Sequence, residues 1–282
     1  MPPHDPGTLY RPVSPTTHTP QPPISMHRFF LAPQHCQGTS LCLTGEEAHH
    51  ARHVVRVRPG ERVAVLDGAG HEFLCEVQGY DRDEARLTVV EKRFQAAPFS
   101  QVTLLQAVPK GKLMEAINQK ATELGAFRIV PLLSERVVAR FDDKEGARKN
   151  EKWRLVAKEA IKQCGSAWLP TVEVPLTPNQ FLARKERFEL ALIASLEGGS
   201  RPAREYFRAF ETERRRMPTS VCVWVGPEGD FTPAETEAII AHGALPITLG
   251  RLVLRVETAA IYCLSILNHE LLSPAALDHS SS

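Results

Sequence analysis

The stretch between residues 226 and 257 holds side chains and turns that could act on a bound ligand. Arg255 and Glu257 stand two positions apart, directly before an Ala- and Leu-rich segment that is typical of a helix. A guanidinium can stabilise a developing anion, and a carboxylate can accept a proton. A carboxylate at a helix start also interacts favourably with the helix dipole, so Glu257 has a structural role as its alternative. These two residues are the candidate catalytic pair.

Two glycine-containing turns lie close to this pair along the chain. Residues 226–229 read Gly-Pro-Glu-Gly and follow the apolar run 221–225, which is typical of a strand buried on both faces. A second turn follows the short strand predicted at 246–249. Glycine lets the backbone approach a ligand closely and offer N–H and C=O groups to a purine or a ribose. The predicted cofactor-binding residues are Leu196, Gly226, Pro227, Gly229, Leu249, Gly250 and Leu254.

The elements around these turns predict an open α/β sheet, in which ligands bind beyond the carboxyl ends of the strands. Thr232, Pro233 and Glu235 have the N-cap, N1 and N3 pattern of a capping box, so a helix begins there. A helix over 258–267 follows the second turn. Glu228 could cap the neighbouring helix or hold a partner loop. The chain has no dinucleotide-binding or triphosphate-binding glycine fingerprint.

The rest of the chain predicts two kinds of structure. Residues 27–94 alternate short strands and turns around one helix at 45–56, which predicts a small β-barrel. Gly68 and Gly70 there are interpreted as a hairpin turn and not as a phosphate cradle. Residues 102–132 read as strand, basic turn, helix and strand, a βαβ unit that implies parallel strands. Further predictions are a helix at 153–164 and a strand at 189–195.

These residues resemble the signature of the SPOUT-class RNA methyltransferases. More narrowly, they resemble the RsmE family, which methylates N3 of a uridine in small-subunit (16S) ribosomal RNA. The resemblance covers residues 26–272, and its strongest part is the pair of glycine turns. The matching motifs lie at 226–229, 249–251 and 254–259, with further matches at 110–111, 120–125 and 131–136.

The resemblance implies a fold class, a cofactor and an assembly. The fold is α/β, with a C-terminal SPOUT trefoil-knot domain at 99–272 and an N-terminal PUA-like RNA-binding β-barrel at 26–96. The cofactor is S-adenosyl-L-methionine, held by the two loops of the knot. The protein forms a homodimer in which each site borrows residues from the partner chain. The helix around Ile261, Leu264 and Leu267 is a candidate interface and could equally be internal core.

The resemblance also implies roles for the catalytic pair. Uridine N3 keeps its proton at neutral pH, so its methylation needs a base or electrostatic stabilisation of the anion. Arg255 is the predicted electrostatic stabiliser, and Glu257 is either the base or an anchor at the helix start. Three positions depart from the family pattern: Asp230 replaces glycine, Val256 replaces threonine, and Ser166 replaces arginine.

Basic residues form a local patch near the start of the barrel. His49, Arg52, His53 and Arg56 would share one face of the predicted helix, with Phe29 as an aromatic neighbour. Such a face suits phosphate contact, and a solvated helix surface is the alternative. A histidine metal site is discounted because acidic or thiol partners are missing nearby, so no metal is predicted. The predicted RNA-binding residues are His27, Arg28, Arg52, Arg56, Lys110 and Lys112.

Composition bounds these predictions. The 282 residues are 43% hydrophobic and 24% charged with a net charge of +1, typical of a globular protein of two domains. Six scattered cysteines without Cys-x-x-Cys pairs indicate buried free thiols in a reducing, cytoplasmic compartment. No apolar run has the length of a membrane span. Residues 1–25 are proline-rich and predicted to be disordered, Met26 resembles a family start, and 273–282 are predicted as a flexible tail.

Three functions fit the sequence. The first is an S-adenosylmethionine-dependent uridine-N3 methyltransferase acting on small-subunit rRNA, either free or in the assembled subunit. The second is a non-catalytic RNA-binding or ribosome-assembly factor on the same fold. The third is a SPOUT methyltransferase acting on another RNA atom, such as a ribose 2′-hydroxyl. Intact Gly226, Gly229, Gly250 and Arg255 favour a working site over the second function. The N-terminal barrel and the segment 110–125 favour the first function over the third.

Overall fold

The computed structural model describes residues 26–137, 141–195 and 199–272. The predicted extension at 1–25, the predicted tail at 273–282 and Leu196 lie outside these residues. Two β-sheets organise the described part of the chain, and each is covered by its own hydrophobic core.

The N-terminal sheet is bent into a half-barrel. Its elements are β1 (Arg28–Phe30), β2 (Ser40–Thr44), α1 (Gly45–His49), β3 (Arg62–Leu66), β4 (His71–Asp81) and β5 (Glu84–Phe94). The strand order is β1-β3-β4-β5-β2, and the long β4–β5 pair contains two register shifts. Phe29, Leu43 and Phe73 are buried inside it. Phe29 is therefore not the aromatic RNA contact that the sequence suggested.

The prediction of a single helix over residues 45–56 is wrong. α1 ends at His49, and the next turn is a π-helix, His50–Val54, in which the Val55 N–H donates to His50 O at 3.0 Å. Arg56 then adopts a left-handed φ of 56° and leaves the helix. The wider π turn shifts the angular spacing of the side chains, so the predicted common face that ends at Arg56 does not form.

The C-terminal sheet has six parallel strands, which confirms the predicted parallel α/β arrangement. Its elements are β6 (Gln101–Ala107), α2 (Leu113–Glu123), β7 (Arg128–Leu132), α3 (Asp143–Cys164), β8 (Thr171–Val172), α4 (Pro178–Ala183), β9 (Leu190–Ala194), α5 (Ala203–Arg214), β10 (Ser220–Val225), α6 (Pro233–Ala241), β11 (Leu245–Ile247) and α7 (Val256–Leu271). The strand order is β11-β9-β10-β6-β7-β8. The apolar strand β10 lies inside the sheet, between β9 and β6, as its composition indicates.

The chain returns to the middle of this sheet after its last strand. It crosses β9 to add β11 at the edge, and α7 then packs against α2, β6 and β10. This is the course of the chain in the trefoil knot that the resemblance implies. Leu264 and Leu267 of α7 are 2% and 0% exposed, which assigns both to the internal core and not to a surface.

The two sheets meet through the hairpin between β3 and β4. Ala69 forms an isolated β-bridge with Trp168, and the Gly70 N–H donates to Ala167 O at 3.0 Å. A Cβ at Gly70 would lie 2.7 Å from the Trp168 ring, so glycine is required for this contact. Gly68 and Gly70 therefore form a hairpin turn, as predicted, and this turn joins the barrel to the second sheet.

The cysteines are free thiols, and most of them are buried. All six are free, and four are buried, whereas Cys42 is half-buried and Cys164 is exposed. Burial raises the pKa of Cys222 and of Cys263 to about 12, so neither thiol is a nucleophile at neutral pH. In the described parts of the chain, none of the helices combines the length and apolarity needed to cross a membrane.

Candidate active site

The turns after β10 and β11 meet in one cavity with a volume of about 320 Å³. This volume is at the lower end of the range for ligand pockets, roughly 300–1,000 Å³. Five predicted cofactor-binding residues line it: Gly226, Pro227, Leu249, Gly250 and Leu254. Gly229 belongs to the same turn but does not line the cavity. The remaining lining residues are Leu113, Ala194, Ser195, Val225, Glu228, Asp230, Leu252, Val253, Arg255, Val256, Glu257 and Ala259.

The first turn is held tightly around Gly226. A Cβ there would lie 2.7 Å from Asp230 Oδ1 and 3.1 Å from the Phe231 nitrogen, so a side chain would push the turn apart. Asp230 itself adopts a left-handed φ of 60°, and its Oδ1 accepts the Phe231 N–H at 2.8 Å. Glycine adopts this left-handed conformation without strain, whereas aspartate adopts it only occasionally.

Two side chains fasten this turn to neighbouring loops. Glu228 accepts the backbone N–H of Lys110, in the loop after β6, at 3.0 Å. Arg136, in the loop after β7, donates to the carbonyls of Gly229 and Phe231. β6 lies beside β10 in the sheet and β7 lies beside β6, so the three loops stand in a row at its carboxyl edge. Of the two roles predicted for Glu228, the structure shows the hold on a partner loop.

The capping box of α6 is present as predicted. Thr232 Oγ1 accepts the Glu235 N–H at 3.3 Å, and the Glu235 carboxylate accepts the Thr232 N–H at 2.9 Å. The same carboxylate is 5% exposed and also accepts bonds from the chain after β7, namely from the Ser134 hydroxyl and the Glu135 N–H. Sequence periodicity could not indicate this second contact, because its partners lie about a hundred residues earlier.

The second turn is shaped by Gly250. Its φ of 106° lies outside the region open to other L-residues, whereas a Cβ there would meet no atom within 4 Å. The Gly250 N–H donates to Thr248 Oγ1 at 3.2 Å. Glycine is thus needed at position 226 for close packing and at position 250 for its backbone angle.

The candidate catalytic pair stands where this second turn enters α7. Arg255 is the N-cap residue and is exposed, whereas Glu257 is half-buried in the first helical turn. Val256 lies between them and is 6% exposed, so its methyl groups fill the space where the family pattern has a hydroxyl. The cavity therefore offers backbone groups on two sides with a guanidinium and a carboxylate at its rim. Such a set fits an adenosyl ligand and a reaction that develops negative charge.

Comparison with known proteins identifies the family. Residues 95–268 match the family model of an RNA methyltransferase domain, and residues 43–90 match that of an RNA methyltransferase PUA domain. The ribosomal RNA small subunit methyltransferase E of Bacillus subtilis is 31% identical over 250 residues, which cover 87% of this chain and 97% of that protein. This chain belongs to the RsmE family.

Solved structures extend this likeness to the RsmE fold. A methyltransferase structure from Legionella pneumophila, in complex with SAM, is 30% identical with a TM-score of 0.77, covering 86% of this chain and 97% of that chain. The RsmE structure from Neisseria gonorrhoeae, bound to S-adenosyl methionine, is 26% identical with a TM-score of 0.74 and the same coverage. The predicted SPOUT α/β fold with an N-terminal PUA-like domain is therefore confirmed.

The RNA-binding residues predicted for this RsmE-family chain are dispersed. Lys110 and Lys112 are exposed beside the Glu228 turn, and His27 is exposed at the start of the barrel. The surroundings of Arg28, Arg52 and Arg56 differ from those that the sequence predicted.

Two of these arginines are engaged within the protein. The Arg28 guanidinium lies against Gly165 at the joint of the two sheets, where a Cβ at Gly165 would be 3.1 Å from it. Arg52 donates to Arg82 O at 2.9 Å and lies over the Tyr80 ring. Arg56 is exposed, in its left-handed conformation. Among the described residues, no group of three or more His, Cys, Asp or Glu side chains could hold a metal ion.

Proposed function

We propose that this chain methylates N3 of a specific uridine in small-subunit (16S) ribosomal RNA with S-adenosylmethionine as the methyl donor. The observation that carries the proposal is the meeting of the Gly226 and Gly250 turns in one cavity with Arg255 and Glu257 at its rim. The names of the relatives support the RNA class, since they are small-subunit rRNA methyltransferases. The two SAM-bound structures support the cofactor.

The turns bind and orient the cofactor, which supplies an electrophilic methyl group. The bare backbone at Gly226 and Gly250 would present N–H and C=O groups to the cofactor, and Leu249 and Leu254 would give it an apolar wall, since all four residues line the cavity. Fixing the donor and the acceptor in line is worth several orders of magnitude in rate. The cavity walls also exclude water from the reacting atoms.

Arg255 stabilises the negative charge that develops on the uracil oxygens as N3 loses its proton. Glu257 is placed to act as the base, with anchoring of α7 as its alternative role. A Glu257→Gln variant separates the two. If Glu257 is the base, the variant should lose turnover, and raising the pH should restore turnover because the uracil then ionises without a base. If Glu257 only anchors α7, the variant should keep its turnover and have a lower melting temperature.

RNA reaches this cavity by way of the barrel and the loop after β6. A base inside a duplex cannot reach the methyl donor, so the target uridine is unpaired or extruded. Exposed His27, Arg56, Lys110 and Lys112 are placed to contact phosphates. These contacts predict binding that weakens steeply as salt is raised.

The active protein is proposed to be a cytoplasmic homodimer. Leu252 and Val253 are 77% and 80% exposed beside the cavity, and Tyr262 of α7 is 44% exposed. Apolar side chains exposed together in this way are typical of an interface. Val253→Asp is expected to shift the protein from dimer to monomer in analytical ultracentrifugation; a wild-type monomer would contradict the proposal.

Nucleoside mass spectrometry of small-subunit rRNA tests the reaction. We expect 3-methyluridine to disappear from a strain lacking this chain and to return when the chain is restored. Persistence of 3-methyluridine in the deletion strain, or loss of a ribose-methylated nucleoside instead, would overturn the assignment. Isothermal calorimetry with S-adenosylmethionine tests the cofactor, and absence of binding would support a non-catalytic RNA-binding factor.

A further inference from the structure

Glu235 carries more hydrogen bonds than a helix cap requires. Its carboxylate is buried and accepts from Thr232 at the start of α6 and from Ser134 and Glu135 after β7. The Ser134 hydroxyl lies 2.9 Å from Oε2, and the Glu135 N–H lies 3.0 Å from Oε1. The two oxygens therefore join two segments that are about a hundred residues apart in the chain.

The other capping box of the chain shows what a cap alone needs. At the start of α4, Thr177 is the N-cap residue, and the N3 residue is Gln180. The Gln180 amide accepts the Thr177 N–H at 2.8 Å, and the Thr177 hydroxyl accepts the Gln180 N–H. Glutamine thus completes a cap in this protein. The carboxylate in α6 adds acceptor capacity, which the loop after β7 uses.

Arg136 continues the same connection. It follows Ser134 and Glu135 directly, and its guanidinium donates to Gly229 O and Phe231 O on the far side of the cavity turn. The turn between Gly226 and Phe231 is therefore bound at its carbonyls by Arg136, while the loop that carries Arg136 is bound by Glu235. Neither side chain lines the cavity.

We propose that Glu235 and Arg136 are positioning residues that hold the 226–231 turn in its ligand-binding shape without touching the ligand. The proposal rests on the proposed function for the identity of that ligand, S-adenosylmethionine. Gly226 and Pro227 lie in the cavity wall, within the turn that Arg136 holds at the carbonyls of Gly229 and Phe231, so their positions depend in part on these bonds. Loosening the turn weakens cofactor binding and leaves RNA binding, which uses other surfaces, unchanged.

Glu235→Gln is the sharpest variant. Glutamine keeps the cap, but the Thr232 N–H and the Glu135 N–H lie on different carboxylate oxygens, and an amide oxygen can accept only one of them. Arg136→Ala removes both hydrogen bonds that its Nη1 donates to the turn, and Arg136→Lys restores one point charge without the planar guanidinium. Thr177→Ala is the matched control, since the hydrogen bonds of its capping box stay at the start of α4 and do not reach the cavity turn.

Steady-state kinetics with the full chain and small-subunit RNA give the main readout. Because loosening the turn displaces backbone groups in the cavity wall, we expect KM for S-adenosylmethionine to rise about tenfold, equivalent to about 1.4 kcal/mol, in Glu235→Gln and Arg136→Ala. KM for RNA should stay unchanged in both, and Arg136→Lys should fall between Arg136→Ala and wild type. Thr177→Ala should lower the melting temperature with KM for S-adenosylmethionine unchanged.

Hydrogen exchange separates this proposal from the function on which it rests. In the absence of any ligand, amides of 226–231 should exchange faster in Glu235→Gln and Arg136→Ala than in wild type or Thr177→Ala. Unchanged exchange and an unchanged KM for S-adenosylmethionine would overturn the positioning role. Faster exchange in the two variants, together with a wild-type protein that binds no S-adenosylmethionine, would leave the positioning role standing and remove the proposed cofactor.

Discussion

Glu228 and Lys110 are 118 residues apart in the chain, and the carboxylate of the first accepts the backbone N–H of the second at 3.0 Å. The contact ties the turn after β10 to the loop after β6, its neighbour in the sheet. Glu228 also lines the cavity, so it holds the wall from inside, whereas Arg136 holds it from outside. The cavity is thus built by tying together loops that leave adjacent parallel strands.

The first prediction concerns this tie. Glu228→Ala should raise KM for S-adenosylmethionine about fivefold, because the loss of a charge-assisted hydrogen bond frees both loops. Glu228→Gln should remain close to wild type, since the amide oxygen can still accept the Lys110 N–H. Steady-state kinetics with varied cofactor measure both. Equal damage by Gln and Ala would show that the negative charge itself acts on the ligand.

The second prediction concerns Arg255. Arg255→Ala should lower kcat about 100-fold or more, the usual effect of removing a donor that stabilises a developing anion. The affinity for S-adenosylmethionine should change little, because the proposed function has backbone groups of the two turns, and not this side chain, bind the cofactor. Calorimetry and single-turnover kinetics measure the two quantities separately. Wild-type turnover in the variant would remove Arg255 from the mechanism.

The glycine turns and their strands could be predicted because local chemistry determines them. Residues 221–229 predict a buried strand followed by a turn, and the Thr232–Glu235 capping box forms where its spacing indicates. α3 begins at Asp143, earlier than predicted, because Asp142 caps a charged segment whose apolar period is weak. Local patterns specify which element forms and leave its ends open.

Contacts between distant segments could not be predicted in this way. One α-helix was predicted over residues 45–56, but a π turn follows His49, and no local hydrophobic period records such a turn. The roles of Arg136 and Glu235 depend on neighbouring strands whose order in the sheet differs from their order in the chain. Arg28 was predicted to bind RNA, and its guanidinium packs beside Gly165 at the joint of the two sheets.

The third prediction separates the two glycines. Gly226→Ala and Gly250→Ala should both weaken S-adenosylmethionine binding, the first through collision with Asp230 and the second through backbone strain. Asp230→Gly removes the nearest colliding atom, so it should partly rescue Gly226→Ala and leave Gly250→Ala unchanged. Calorimetric affinities in a double-mutant cycle measure this. Equal rescue of both variants would contradict the steric origin.

The fourth prediction concerns acid stability. The Arg216 guanidinium, with the N–H and hydroxyl of Thr219, lowers the pKa of Glu189 from 4.5 to about 2. Since the folded-state pKa is the lower one, the carboxylate stabilises the protein above pH 4.5. This stabilisation is lost as the pH falls towards about 2.

Glu189→Gln should therefore be less stable than wild type at neutral pH, and the difference should shrink as the pH falls through this range. Urea midpoints between pH 6 and pH 2.5, roughly the window in which the carboxylate titrates, measure it. Glu213→Gln is the control, because that carboxylate is 70% exposed. A constant difference between wild type and Glu189→Gln at all pH values would refute the linkage.

The last prediction concerns the joint between the barrel and the sheet domain. Lys162 of α3 is 7% exposed and lies 2.8 Å from Glu47 of α1, and Glu47 also accepts the Phe30 N–H at 3.3 Å. The second ion-pair partner of Lys162 is Glu159, which is 66% exposed and therefore stabilises the ammonium little. Removing Glu47 alone leaves a buried ammonium that has lost its main partner, whereas removing both charges leaves apolar surface in their place.

Glu47→Leu should accordingly destabilise the protein by about 3 kcal/mol, and Lys162→Met in the same chain should recover a large part of that loss. Glu159→Gln should cost well under 1 kcal/mol, as an exposed pair does. Free energies of unfolding for the four members of the cycle measure the coupling. Additive losses from Glu47→Leu and Lys162→Met would mean that the two residues stabilise their domains separately and do not couple them.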